Sequence, residues 1–197
     1  MRIVSLLTVF FVCLGVSFAS AKDVLLADTT VVPGVRVGPI KKGVTIGDLQ
    51  KLFGKNRVTV TELPGPEGTT INGVRLFENS DRELEILLDP ENPNKAIWDI
   101  RVLGKAWTFE NGLKLGQTLT EVEKVNGMPF KLTGFDWDYG GYASFPGGSL
   151  DGKVSVRFDP GEAPVPDELS GDQEINTTNK ELRKLNPKVR ELTVYFR

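Results

Sequence analysis

One short segment occurs twice in this sequence, about 73 positions apart, and it constrains the fold more than any other feature. Residues 43–54 read GVTIGDLQKLFG, and residues 116–127 read GQTLTEVEKVNG. Each copy has a Thr at its third position, an acidic residue three positions later and a Gly at its end. A capping Thr and an acidic residue that reaches back to it form a capping box, and a terminal Gly is typical of a helix C-cap. The sequence therefore predicts two short helices, capped by Thr45 and Thr118.

Each predicted helix has only about two turns, which is too short to be stable alone in water, so it must pack against other elements. The flanking residues alternate between apolar and polar side chains, a pattern typical of strands in an antiparallel sheet. Segments rich in Pro, Gly, Asn and Asp separate these strands. Four strands are predicted in the first half, at residues 57–63, 70–77, 84–88 and 96–103, and four in the second half, at residues 130–135, 142–145, 153–158 and 189–196.

The repeated plan predicts an α+β fold of two tandem repeats, each with one helix and an antiparallel sheet. The first repeat covers residues 22–104 and the second covers residues 105–197. Joined edge to edge, the repeats would form one curved sheet of about eight strands, with short helices on one face and an open surface on the other. The second repeat contains an insert, residues 161–187, which is acidic and Pro-rich at first and then predicts a helix at residues 179–185 behind Thr178. We expect this insert to lie on the surface.

The N-terminus predicts a signal peptide at residues 1–21. Arg2 precedes an apolar run at residues 3–16, and an Ala-Ser-Ala cleavage site follows. The run is shorter than the roughly 20 residues that a membrane-spanning helix needs. Cys13 lies within this run, so the mature chain, starting near Lys22, has no cysteine. We therefore predict a periplasmic or secreted protein with no stable membrane anchor after signal removal, whose stability rests on its core rather than on disulfides.

The composition excludes several kinds of chemistry. The chain has no histidine, a formal net charge of −2 and no phosphate- or dinucleotide-binding motif. Without His and, after signal removal, without Cys, it cannot use catalytic or metal-binding chemistry that depends on those side chains. It also lacks the strongly basic surface typical of nucleic-acid-binding proteins. We expect a non-catalytic protein with no cofactor, no metal and no nucleic-acid partner.

The aromatic loop, which we define as residues 135–142, has the sequence FDWDYGGY. Trp and Tyr at a hairpin tip are typical of binding hot spots, and the neighbouring acids would favour a basic partner. Alternatively, its Phe, Trp and second Tyr alternate into the core from two strands, and only Tyr139 and the acids stay outside. The counterpart in the first half is the Pro-Gly-Pro turn at residues 64–66, so the repeats share a scaffold and differ at this tip. The candidate binding residues are Phe135, Asp136, Trp137, Asp138, Tyr139 and Tyr142.

Two known families show a similar pattern. The second repeated segment carries G-x-T-x-x-E-V-x-x-V-x-G-x-P at Gly116, Thr118, Glu121, Val122, Val125, Gly127 and Pro129. This pattern resembles the signature of the SmpA/OmlA family of small bacterial envelope lipoproteins, and the tandem doubling is similar to the fold of the β-lactamase inhibitor proteins. The resemblance implies an extracytoplasmic protein-binding module that uses the open face of its sheet. It does not extend to a β-lactamase as the partner, because no matching contact motif is present.

Two functions follow from these observations. The favoured one is an exported, non-catalytic protein-interaction module, inhibitor-like or envelope-assembly-like, that binds another extracytoplasmic protein through the open sheet face and the aromatic loop. The alternative is a small-ligand or glycan-binding periplasmic protein that uses the same aromatic residues. A broad, shallow face would favour a protein partner, whereas a deep and partly apolar pocket would favour a small ligand.

Overall fold

The computed structural model describes residues 27–92 and 97–196, and these residues form a mixed α+β fold, as predicted. Three α-helices lie in this part of the chain: α1 at Ile46–Phe53, α2 at Leu119–Asn126 and α3 at Lys180–Leu185. The expected signal peptide, residues 1–21, lies outside the described residues.

The described strands are numbered here in chain order. They are β1 Thr30–Val32, β2 Arg36–Val37, β3 Ile40–Lys41, β4 Val58–Pro64, β5 Thr70–Leu76, β6 Leu84–Leu88, β7 Ile97–Val102, β8 Thr108–Phe109, β9 Lys131–Thr133, β10 Ala143–Ser144, β11 Val154–Asp159, β12 Glu174–Asn176 and β13 Lys188–Tyr195. All eight strands predicted from alternation are present, with boundaries within a few residues of those expected. The sequence did not predict β1, β2, β3, β8 or β12.

Hydrogen bonding divides these strands among three sheets. The main sheet has six antiparallel strands in the order β11-β13-β7-β6-β5-β4, so it combines strands from both halves of the chain. A three-stranded sheet has the order β10-β9-β12, and an isolated bridge between Tyr142 and Arg157 connects it to β11. The third sheet has the order β3-β2-β1-β8. One continuous sheet of about eight strands is therefore not confirmed.

Both repeated segments form capped helices as predicted. The Asp48 amide donates to Thr45 Oγ1 at 3.2 Å, and the Thr45 amide donates back to the Asp48 carboxylate at 3.2 Å. In α2 the Glu121 amide donates to Thr118 Oγ1 at 3.2 Å, and the Thr118 amide donates to the Glu121 carboxylate at 2.8 Å. The glycines that end the two helices have φ values of +88° and +86°. Glycine is favoured at these positions because it has no Cβ and adopts positive φ without strain.

One face of the six-stranded sheet, here called the inner face, forms the core. Its register aligns Val74, Ile86, Ile100 and Val194 across four strands, and all four side chains are fully buried. The apolar side chains of α1 and α2 belong to the same buried cluster, as do those of β1 and β8. The helices are therefore held by the sheet, as their short length requires.

The insert at residues 161–187 is not a surface excursion, and this expectation was wrong. Its strand β12 pairs with β9, and Leu169, Ile175 and Leu182 are all buried in the core. Arg183 on α3 also makes a paired contact with the Glu123 carboxylate on α2, at 2.6 and 2.8 Å. The apolar residues of the insert are spaced irregularly, so no periodic pattern revealed their burial.

The cap predicted for α3 was also displaced by one residue. Asn179 caps this helix by accepting a hydrogen bond from the Leu182 amide at 3.0 Å. Thr178 instead bonds to the side chain of Asn176, with its hydroxyl donating at 2.7 Å. Thr and Asn are both good N-cap residues, so local propensity alone does not choose between them.

Candidate functional site

The opposite face of the six-stranded sheet, here called the outer face, carries a row of charged side chains. The register places Arg75, Glu85 and Arg101 side by side on β5, β6 and β7. Glu85 Oε1 lies 3.2 Å from Arg75 Nη2, and Glu85 Oε2 lies 3.2 Å from Arg101 Nη1. The Glu85 side chain is only 8% exposed, so these two arginines compensate a nearly buried charge.

The hairpin between β4 and β5 bends over this outer face. Gly73 makes the bend possible, because a Cβ there would lie 2.7 Å from Leu63 Cγ and 2.9 Å from the Ile86 carbonyl oxygen. The fully buried Leu63 side chain occupies that space instead. The bend brings the Pro64 carbonyl oxygen to 2.8 Å from Arg101 Nη1, which donates to it. The proline loop, residues 64–69, therefore stands above the charged row.

The aromatic loop is fixed to the same outer face by Arg157 on β11. Arg157 Nε donates to the Gly140 carbonyl at 2.9 Å, and Nη2 donates to the Asp138 carbonyl at 3.1 Å. The guanidinium carbon also lies 4.9 Å from the centre of the Tyr142 ring, which is a cation–π distance. On the other side of the loop, the Thr133 hydroxyl donates to the Tyr139 carbonyl.

These two loops line a cleft of about 250 Å³ on the outer face. The proline loop contributes residues 64–66 to the lining, and the aromatic loop contributes Asp138, Tyr139 and Tyr142. A second cavity, of about 270 Å³, is lined by residues 135–137 of the aromatic loop. Charged residues complete the first cleft, namely Glu85, Arg101, Arg157, Arg190 and Glu191.

The predicted binding residues at the start of the aromatic loop play mainly supporting roles. Phe135 is 2% exposed and belongs to the core, so it anchors the loop from below. Asp136 has a positive φ of 63°, and its carboxylate accepts a hydrogen bond from Ser170 Oγ at 3.0 Å. Trp137 is half-buried, and its Nε1 donates to the Gly134 carbonyl at 2.9 Å.

The later residues of the loop form the wall of the cleft. Tyr139 is 39% exposed, and its ring packs edge-on against Trp137 with 5.4 Å between centroids. Asp138 is exposed, whereas Tyr142 is half-buried under Arg157. Burial, followed by the nearby Glu191 carboxylate, raises the pKa of the Tyr142 phenol, so its hydroxyl stays protonated at neutral pH.

Sequence reasoning missed the charged floor of the cleft. Arg101, Arg157 and Glu191 occupy the polar positions between apolar residues of β7, β11 and β13, and such positions usually face water alone. The signal that could have revealed them is the opposite charge at neighbouring positions of adjacent strands, as in Glu85 beside Arg101. Using that signal requires the strand order, which one sequence does not give.

Neither a metal cluster nor a membrane helix is found in the described part of the chain. Among residues 27–92 and 97–196, no three His, Cys, Asp or Glu side chains gather where they could hold a metal ion. In the same residues, no helix is both long enough and apolar enough to cross a bilayer.

Comparison with known proteins shows a similarity in fold but no family. No protein-family model matches the chain, and no curated protein matches it significantly. Among solved structures, the chain is similar to the crystal structure of the uncharacterized protein YfeY from Escherichia coli, with a TM-score of 0.50 and 16% sequence identity. The match covers 85% of this chain and 99% of that chain. At this identity the similarity concerns the fold alone.

Proposed function

We propose that this protein is an exported, non-catalytic protein-interaction module that binds an extracytoplasmic partner through the cleft on its outer face. The observation that supports this most directly is the position of the two loops. The proline loop and the aromatic loop, which the proposed duplication would make counterparts, line the same cleft on the outer face of the sheet. Loops on a rigid scaffold are typical sites of recognition.

The exposed aromatic residue at the cleft gives the proposal a specific contact. Tyr139 offers a large ring beside Trp137, and Tyr is enriched among the residues that dominate interface energies. The proline loop supplies a stiff opposite wall, because Pro restricts its own backbone. A loop or strand of a partner protein could pack between these walls with little reorganisation of the site.

The dimensions of the cleft favour a protein partner over a small ligand or glycan. Its volume of about 250 Å³ lies below the roughly 300–1,000 Å³ of typical ligand pockets. Its floor is charged rather than apolar, because Glu85, Arg101 and Glu191 lie there. We therefore propose a protein-binding cleft.

We also propose that the two halves are copies of one unit whose sheets act as a single curved surface. The matching capping boxes of α1 and α2 support the duplication. The bridge between Tyr142 and Arg157 supports continuity, as does the Phe158 amide, which donates to the Gly141 carbonyl at 2.8 Å. Hydrogen exchange tests the continuity: the Phe158 amide should exchange as slowly as those of β13, and exchange at loop rates would contradict it.

Export and the family resemblance belong to the same proposal. The signal peptide at residues 1–21 predicts a mature chain that starts near Lys22 in the periplasm or medium. Intact-mass measurement of the protein recovered from those fractions tests this start, and soluble protein that keeps residues 1–21 would contradict it. The resemblance to SmpA/OmlA proteins and β-lactamase inhibitor proteins stays a prediction.

Photo-crosslinking tests the binding face directly. Benzoylphenylalanine replaces Tyr139 in one sample and Val35 in a control, because Val35 is 57% exposed and does not line the cleft. In envelope extracts of the source cells, the probe at position 139 should capture a discrete protein that the control does not. Unlabelled wild-type protein should compete, and folded Tyr139→Ala should compete roughly thirtyfold less well, as expected for a hot-spot aromatic. Equal capture at both positions would refute the proposed face.

A further inference from the structure

Arg157 differs from the other arginines in the cleft because, among the described residues, its direct hydrogen-bond and ring contacts are all with neutral groups. Its Nε and Nη2 donate to the main-chain carbonyls of Gly140 and Asp138, and its guanidinium stacks on the Tyr142 ring. Among the described residues, no carboxylate lies within 4.0 Å of this guanidinium. It is half-buried, so water compensates its charge only in part.

The other two arginines that line the cleft have carboxylate partners. Arg101 Nη1 lies 3.2 Å from Glu85 Oε2, and Arg190 Nη1 lies 3.1 Å from Asp159 Oδ2. Arg157 therefore contributes a positive charge to the cleft that forms no direct ion pair with the described residues, although Glu191 lies opposite it in the register of β11 and β13. It also lines both cavities, so a group entering either one can approach it.

The guanidinium of Arg157 is held in a fixed orientation before any partner binds. Two hydrogen bonds and one aromatic ring restrict its rotation, so little further conformational entropy is lost when it forms another contact. A planar guanidinium forms its strongest hydrogen bonds with carboxylates, which supply both charge and matching acceptor geometry. The chemistry that fits this position is a carboxylate group.

We propose that the partner protein presents an Asp or Glu side chain that enters the cleft and pairs with Arg157. This inference rests on the proposed protein-binding function and adds the chemistry of the partner. It differs from the basic partner expected from Asp136 and Asp138, because Asp136 bonds to Ser170 and the Arg157 guanidinium forms no direct ion pair with the described residues. Tyr139 and the proline loop would contact the apolar residues on either side of the acid.

Peptide selection tests this chemistry on the protein alone, with no purified partner required. A displayed library of random twelve-residue peptides is selected on the folded wild-type protein. The enriched peptides should share an Asp or Glu, and their affinity for Arg157→Gln should fall at least tenfold. Arg57→Gln is the matched control, because Arg57 is an exposed arginine outside the cleft, and it should leave affinity unchanged.

A change in the peptide keeps the test valid if Arg157→Gln loosens the aromatic loop. Replacing the shared Asp or Glu of a selected peptide by Asn or Gln leaves the protein intact and should weaken binding at least tenfold. Enrichment of neutral or basic peptides, a change below twofold for the amide peptide, or no enrichment at all would overturn the proposal. Free N-acetylglutamate that competes at the concentration of the peptide would instead assign Arg157 to a small ligand and also overturn it.

The two proposals can fail separately. If the probe at position 139 captures a partner but the acid-to-amide change has no effect, the binding face stands and the acidic chemistry is wrong. If the probe captures nothing beyond the control, the binding face itself is wrong.

Discussion

At the scale of single residues, the shape of the cleft depends on Gly73, because glycine has no side chain. Gly73 lies in the interior of β5, where Gly normally weakens a strand, and nothing in its local sequence marks it as special. Its role becomes visible only when Leu63 packs across it and the proline loop turns over the sheet. Single residues of the aromatic loop also have different roles, because Phe135 supports the loop from the core, whereas Tyr139 faces the cleft.

Gly73→Ala should destabilise the protein by about 1–3 kcal/mol, which is typical of overpacking a close contact. The reason is that the new Cβ would lie 2.7 Å from Leu63 Cγ and 2.9 Å from the Ile86 carbonyl. Urea unfolding measures the change. The control is Gly47→Ala in the exposed first turn of α1, where the nearest atom to a new Cβ is 3.7 Å away. This control should keep or gain up to about 1 kcal/mol, and equal stability of both variants would contradict the packing described.

At the scale of elements, the capped helices were the most predictable part of the chain. A capping box is a local interaction over four residues, so the sequence contains all the information needed to predict it.

Thr45→Ala and Thr118→Ala should each lower the free energy of unfolding by about 1 kcal/mol at neutral pH. Unfolding curves in urea measure the change, and unchanged midpoints in both variants would mean that these caps contribute nothing.

The same caps should make stability depend on pH in the acid range. The Thr45 hydroxyl and amide lower the pKa of Asp48, and the Thr118 amide and hydroxyl lower the pKa of Glu121, from ordinary values of 3.8 and 4.5. A lowered folded-state pKa adds stability above the ordinary value, and this stability is lost as the pH falls through the lower folded value. The difference between wild type and the Thr→Ala variants should therefore shrink below about pH 4. A constant difference from pH 7 to pH 2 would contradict this.

The insert was the least predictable element, because its contacts join distant parts of the sequence. Leu182→Ala should destabilise the protein by about 2–5 kcal/mol, since Leu182 is fully buried in the core. The control on the same helix is Lys184→Ala, because the Lys184 side chain is 80% exposed, and it should change stability by less than about 0.5 kcal/mol. Thermal or urea unfolding distinguishes the two variants. Similar small effects of both substitutions would indicate that the insert lies on the surface.

At the scale of the whole molecule, the pairing of β7 with β13 joins the two halves. Ile100 lies opposite Val194 and Val102 lies opposite Leu192, and all four side chains are buried in one core. A half of the chain whose strand is buried against the other half loses much of its apolar contact if that other half unfolds. The halves should therefore depend on each other for stability.

Unfolding in urea should show one transition, with the same midpoint by far-UV circular dichroism and by tryptophan fluorescence. Ile86→Val in the first half and Val156→Ala in the second should each lower that single midpoint, because both residues are buried in the shared core. Two separated transitions, with each substitution moving only one of them, would show that the halves unfold independently.

The sequence by itself determined the features that depend on neighbouring residues. It specified the capped helices at Thr45 and Thr118 and the eight alternating strands. These follow from side-chain periodicity and from hydrogen bonds that span only a few residues. The tip at residues 135–142 was also recognisable, because its composition is unusual for a surface.

Only the tertiary structure decided which strands share a sheet and what the outer face presents. The choice of β13 as the neighbour of β7, the burial of the insert and the parallel pairing of β1 with β8 all join residues far apart in the chain. The cleft arises in the same way, because Arg101 and Arg157 come from strands that a single sequence does not place together. Periodicity gives the face of a strand but not its neighbour, and the neighbour is what brings these charges to one site.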